Sequence, residues 1–374
     1  MEVSGNVAGW PGMAGTLHPC SVHTWKNKTL AIPSINGIFH KMNLTTLEVL
    51  PEGLLNRSAQ QLHEVLDGPT LIHLRGSTTA PLFVSVLLHG NETTGWEALR
   101  QLLLSYHHQE LPRSLSLFIG NVAAAAEDVR HLPGQPDYNR IWSTGDTAEQ
   151  QMMQSVIEQM RERGVFASID LHNNTGRNPH YGCINRLEPA FLQLAKLFSH
   201  TVVFFTQPAE VQSMAFSNFC PAITVECGRP GEVNGITHAL NFLQHCLKLS
   251  EIPTQPVTAE EIALFHTVAT VKVPDTIEIS FGTATGDLCL INELDQLNFQ
   301  EIPAGTPFGR VCSDHLNHLE VWSESGQDVG DNFFTIQGGR LQTSKPVMPS
   351  MLTKDIEIIR QDCLCYLMER LEHT

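Results

Sequence analysis

Apolar residues fall into two regimes along this chain. Between Thr70 and about Leu249, continuous apolar runs alternate with segments where apolar residues recur every three or four positions. Continuous runs mark strands covered on both faces, and the longer period marks helices packed along one side. Residues 82–88, 115–119, 165–171, 202–205 and 222–225 read as strands, and 93–106, 147–163, 188–198 and 235–249 as helices. In the first helix Trp96, Leu99, Leu102, Leu103 and Tyr106 share a face, and Thr93 or Thr94 can cap its start. This alternation predicts an α/β fold, with a mixed, largely parallel sheet flanked by helices.

The pattern changes after Glu251-Ile252-Pro253-Thr254-Gln255-Pro256, which reads as a linker. Short β-like pieces follow at 269–273, 276–280, 288–291, 308–312, 320–322 and 333–336, separated by Gly and Pro turns. A closing helix is expected near 362–371. The predicted organisation is a loosely packed, Gly- and Pro-rich extension over 1–41, an α/β domain over 42–250 and a smaller β-rich C-terminal domain over 257–374.

Composition narrows the function classes. The formal charge of −16 argues against nucleic acid and anionic membrane as partners. The chain has nine cysteines, an odd number, with no CxxC spacing, which fits a reducing compartment. No signal-peptide pattern opens the chain, and no apolar run approaches the roughly 20 residues of a membrane span. A cytoplasmic location is therefore expected. Homo-oligomerisation is left open.

Candidate chemistry sits where three expected strands end. His89-Gly90-Asn91-Glu92, Asp170-Leu171-His172-Asn173 and Val225-Glu226-Cys227-Gly228 each follow an apolar run. In open α/β sheets, ligands gather beyond the carboxyl ends of the strands. Two imidazoles and one carboxylate, His89, His172 and Glu92, are a catalytic zinc set with one position left open, so one Zn2+ per chain is expected. Glu226 is then free to act as general base and acid. Asp170 lies two residues from His172, on the same face of a strand, and can orient its ring. A second HxxE segment, His107-His108-Gln109-Glu110, has no strand before it and reads as a solvated helix end.

These segments resemble the aspartoacylase/succinylglutamate desuccinylase family of the zinc carboxypeptidase superfamily, over residues 70–350. His89-Gly90-Asn91-Glu92 and Asp170-Leu171-His172-Asn173 look like its two metal motifs, and Cys183 follows within a Gly-Cys pair as in family members. Glu226 matches the catalytic glutamate. Asp137-Tyr138-Asn139-Arg140 resembles the segment whose Asn and Arg hold a substrate carboxylate. Arg130 resembles the arginine that polarises the scissile carbonyl. Residues 291–307 resemble part of the family's C-terminal β domain.

The resemblance implies a deacylase that cleaves the amide bond of an N-acyl amino acid or a similar small carboxylate-bearing amide. Zinc-activated water would attack with help from Glu226, Arg130 would stabilise the oxyanion, and Asn139 and Arg140 would clamp the carboxylate. One departure bears on substrate. Aspartoacylase places an arginine for the substrate's side-chain carboxylate ten residues before the catalytic Glu, where this chain has Phe216. A substrate pocket lined by Phe216 favours neutral side chains, unless Arg177 or His180, on the longer loop after His172, restores the charge. His180 and Phe216 are thus expected to line the substrate pocket. A metallocarboxypeptidase acting on short peptides, or a non-catalytic binding protein on the same fold, are the competing readings. The intact Glu226 argues against the second.

Overall fold

The computed structural model describes residues 44–282, 285–313 and 316–372. The extension expected over 1–41 lies outside the described residues.

Strands β1–β9 span Thr45–Leu47, Thr70–Leu74, Gly76–Val86, Leu111–Ile119, Ala167–His172, Tyr181–Ile184, Thr201–Phe204, Ala222–Glu226 and Ala263–Lys272. Strands β10–β17 span Ile279–Phe281, Leu288–Leu290, Pro307–Val311, Glu320–Ser323, Phe334–Gln337, Arg340–Thr343, Met348–Ser350 and Cys365–Arg370. Helices α1–α8 span Thr94–Ser105, Val122–Ala126, Ala148–Glu162, Pro189–Phe198, Gln212–Phe216, Val233–Lys248, Gly330–Phe333 and Ile356–Gln361.

Among the described residues, one sheet has the order β1-β2-β4-β3-β5-β8-β6-β7-β9-β17-β16, with β13 also pairing with β9. Its centre, β4-β3-β5-β8, is parallel. The inner half of β3 and all of β5 and β8 are buried on both faces, which explains their unbroken apolar runs. The helices carry the expected periodic faces. In α3, Met152, Met153, Val156, Ile157 and Met160 are buried, and Thr147 closes a capping box with Gln150. A second sheet, β10-β11-β12-β15-β14, is built wholly from the C-terminal third.

The main sheet continues past the linker, since β9 pairs with β7 on one side and β17 on the other. The closing helix expected over 362–371 is instead β17. Cys365, Leu367 and Met368 are buried against β9 and β16, and only the short α8 precedes them. Leu, Met and Cys suit helix and strand alike, and pairing with a strand about 100 residues earlier decided the outcome. Strand β6 was not legible either. It has four residues and lies between β8 and β7.

Candidate active site

Three strand ends converge. Leu87, just beyond β3, has φ 57°, a left-handed conformation that branched side chains rarely adopt. It turns the chain into His89–Glu92. Gly90 lets α2 approach closely, because a Cβ there would stand 2.3 Å from the Ala124 carbonyl carbon. His172 ends β5 and Glu226 ends β8, and the two are register partners.

His89, Glu92 and His172 come together, with ligand atoms within 4.8 Å of one another. His89 Nδ1 lies 2.8 Å from Glu92 Oε1, and His172 Nδ1 lies 2.7 Å from Glu92 Oε2. The opposite ring nitrogens are also held. His89 Nε2 is 3.0 Å from Asp137 Oδ1, and His172 Nε2 is 2.7 Å from Asp170 Oδ2. Each imidazole is thus anchored by a carboxylate at Nε2 and turns Nδ1 toward one point. This is the outer support that metal-binding histidines normally have. Asp170 is fully buried and accepts from Ser85 Oγ at 2.7 Å. Asn173 ties the loops together. Its N–H donates to Glu92 Oε2, its Oδ1 accepts from Thr94 N–H, and its Nδ2 donates to Thr94 Oγ1 and the Gly228 carbonyl. Two nitrogens and a carboxylate, buried and convergent, could hold a divalent transition-metal ion.

Glu226 is only 5% exposed and accepts from Asn174 Nδ2 at 3.3 Å. Burial pushes its carboxyl up to about 7. A base poised near neutrality can both accept and return a proton.

Arg130, Asn139 and Arg140 line the same cavity, of about 140 Å³, with His89, Glu92, His172 and Glu226. Arg130 donates through Nε and Nη2 to Asp137 Oδ2, at 3.1 and 2.8 Å. Burial opposes the charge on Asp137, but His89 and Arg130 hold its carboxyl well below the usual range. Asn139 Oδ1 accepts from Gln212 N–H at 3.0 Å, and its Nδ2 lies 3.3 Å from His172 Nε2. Arg140 Nη2 donates to Asp362 Oδ1 at 2.9 Å.

Two expected pocket residues lie elsewhere. Phe216 is fully buried, stacked on Phe83 at 4.4 Å and edge-on to Trp142 at 6.0 Å, and does not line the cavity. It ends the short α5, which packs onto β5 and β8 and buries Gln212, Ser213 and Phe216. His180 also lies outside the lining, with its ring 4.9 Å from that of His238. Arg177 opens instead onto a separate polar cleft with Arg229, Glu232 and Lys354. The apolar wall is formed by Val203, Phe205, Val211, Met351 and Ile358. The other HxxE pair, His107 and Glu110, is exposed, as expected.

The residues missed were Asp362, Asn174 and the apolar wall. Asn174 directly follows the Asp170–Asn173 motif and was within reach. Asp362 had no local signal, being 222 positions from the Arg140 it pairs with.

Residues 80–249 match the family model described as the succinylglutamate desuccinylase/aspartoacylase catalytic domain. A comparison with curated protein sequences gave no match. Among solved structures, the chain resembles succinylglutamate desuccinylase from Chromobacterium violaceum at 17% identity and TM-score 0.51, over 80% of this chain and 86% of that one. It resembles murine aminoacylase 3 at 15% identity and TM-score 0.51, over 79% and 96%. Succinylglutamate desuccinylase from Vibrio cholerae aligns at 13% identity and TM-score 0.50, over 84% and 98%. At these identities the likeness establishes the fold, a mixed α/β sheet with a further β-rich sheet.

Proposed function

We propose that this chain, whose residues 80–249 belong to the succinylglutamate desuccinylase/aspartoacylase catalytic-domain family, is a zinc-dependent deacylase of small acyl amino acids. That family's chemistry is amide hydrolysis of acyl amino acids. The finer assignment rests chiefly on the pairing of His172 with Glu226. A metal-ligand candidate and a buried carboxyl near neutrality stand side by side, facing one cavity.

His89 Nδ1, Glu92 and His172 Nδ1 would hold the metal, with Asp137 and Asp170 fixing the two rings. Zinc bound there would supply Lewis acidity toward the carbonyl and acidify water. Glu226 takes the proton of the attacking water on its carboxylate and delivers it to the leaving amine nitrogen. Arg130 polarises the carbonyl oxygen, its fork held in place by Asp137. Arg140, which lines the cavity, holds the substrate carboxylate. Asn139 supports the site from behind, bridging the Gln212 backbone and the His172 ring. The apolar wall of Val203, Phe205, Val211, Met351 and Ile358 supports a neutral side chain on the substrate, on grounds independent of Phe216.

Assay of N-acetyl amino acids with the zinc-loaded protein, following release of the free amine, tests the reading. Cleavage is expected. Failure to cleave any acyl amino acid, with cleavage of C-terminal residues from peptides instead, would move the chain to the carboxypeptidase reading.

A further inference from the structure

Arg140, proposed to hold the substrate carboxylate, and Arg130, proposed to polarise the carbonyl, are both already paired. Arg140 Nη2 donates to Asp362 Oδ1 at 2.9 Å, and Arg130 Nη2 stands 3.5 Å from Asp362 Oδ2. One carboxylate therefore engages both guanidinia, an oxygen to each, and occupies the position at Arg140 that a substrate carboxylate would take. It comes from the chain itself, from the turn between α8 and β17. The Asp362 and Arg140 side chains are only 25% and 28% exposed. Although burial opposes charge on each, Arg140 and Arg130 hold the Asp362 carboxyl below its usual range, and Asp362 keeps Arg140 firmly protonated.

Asp362 also borders a second cavity. With Arg140, Gln207, Pro208, Thr267 and Tyr366 it lines both the catalytic cavity and an outer cavity that reaches Trp322 and Lys272.

We propose that Asp362 is a specificity-determining residue, whose carboxylate fills the arginine clamp of the free protein so that a substrate carboxylate binds only by displacing it. The proposal rests on the acyl amino acid reading of the site. Two guanidinia, Arg130 and Arg140, already face the carboxylates of Asp137 and Asp362, and Arg130 also stands 4.0 Å from Glu92. A further carboxylate buried there without a partner is strongly disfavoured, so an entering acid must exchange with Asp362. The outer cavity offers space for the displaced side chain. A neutral carboxamide needs no exchange. A tethered competitor acts at high effective concentration, and apparent affinity falls by the fraction of time the clamp is open. Asp362 thereby sets how tightly a free carboxylate is held at Arg140, and leaves binding of an uncharged group at this position unaffected.

The test compares N-acetylleucine with N-acetylleucinamide. Binding is measured by calorimetry on zinc-loaded Glu226→Gln protein, so that turnover does not intrude, with and without Asp362→Asn. Asp362→Asn is expected to tighten binding of the acid by about tenfold or more and to leave the carboxamide unchanged. In an Arg140→Leu background the same substitution should have no effect on either. Unchanged or weaker binding of the acid in Asp362→Asn, including no measurable binding, overturns the proposal. So does equal tightening of both ligands. If Asp362→Asn fails to fold, Asp362→Ser carries the same comparison. Wild-type hydrolysis of N-acetylleucine is read separately. A binding shift without turnover would overturn the deacylase reading while leaving Asp362 as the gatekeeper of the clamp.

Discussion

His172 and Glu226 are direct register partners at the carboxyl ends of the neighbouring parallel strands β5 and β8. Register partners share a face, and adjacent strands lie about 4.8 Å apart. The ladder itself therefore sets the spacing between a metal-ligand candidate and the candidate base. Neither depends on loop flexibility for its placement.

That arrangement makes metal content the first thing to measure. Elemental analysis of protein never exposed to a chelator should find about one zinc per chain, as a single His2Glu set predicts. His172→Ala should lose it. His107→Ala, at the exposed copy of the HxxE spacing, should keep it. Full activity of metal-free protein would end the zinc reading.

Glu226→Gln should retain fold and zinc while kcat drops by about 10²–10⁴-fold, the usual contribution of an acid–base group. Steady-state kinetics alongside a metal assay would show it. A variant with wild-type turnover would remove Glu226 from the mechanism.

Among the described residues, Asp170 touches the candidate metal site through His172 Nε2. Asp170→Asn should weaken zinc affinity by about 10–100-fold, read by competition with a chromophoric chelator. Because Asp170 is fully buried, unfolding must be checked in parallel. A folded variant with unaltered affinity would make Asp170 a purely structural residue.

Phe216 offers a clean separation of core from pocket. Truncation of a buried Phe costs roughly 3–5 kcal/mol, so Phe216→Ala should unfold at much lower denaturant. The protein that remains folded should keep its substrate preference. A change in KM without loss of stability would return Phe216 to the pocket wall.

Substrate choice then falls to the apolar wall. N-acetyl amino acids with neutral, apolar side chains should exceed acetylaspartate in kcat/KM, since an acidic side chain against Val203, Phe205, Val211, Met351 and Ile358 would be buried without a partner. A clear preference for acetylaspartate would refute this, and attention would pass to how Arg130 and Arg140 are shared between two carboxylates.

Much of this site was legible in the linear chain, because its chemistry is attached to strand ends. An apolar run that ends in His89, Asp170 or Glu226 announces both a buried strand and a functional group at its carboxyl end, and the parallel α/β pattern says that such ends meet. The contiguous motifs also carried Asp137 beside Asn139 and Arg140. What tertiary structure alone decided were the partners brought in from far along the chain. Residues 362–371 have a composition that suits helix or strand, and pairing with β9 made most of that segment β17. That choice placed Asp362 against Arg140, which no local pattern signals. Phe216 shows the converse: position in sequence relative to Glu226 suggested a pocket residue, but α5 turns that ring inward onto Phe83. Periodicity reports which faces are apolar. Which apolar face lines a cavity, and which fills the core, depends on what packs opposite, and that is settled only when the whole chain has folded.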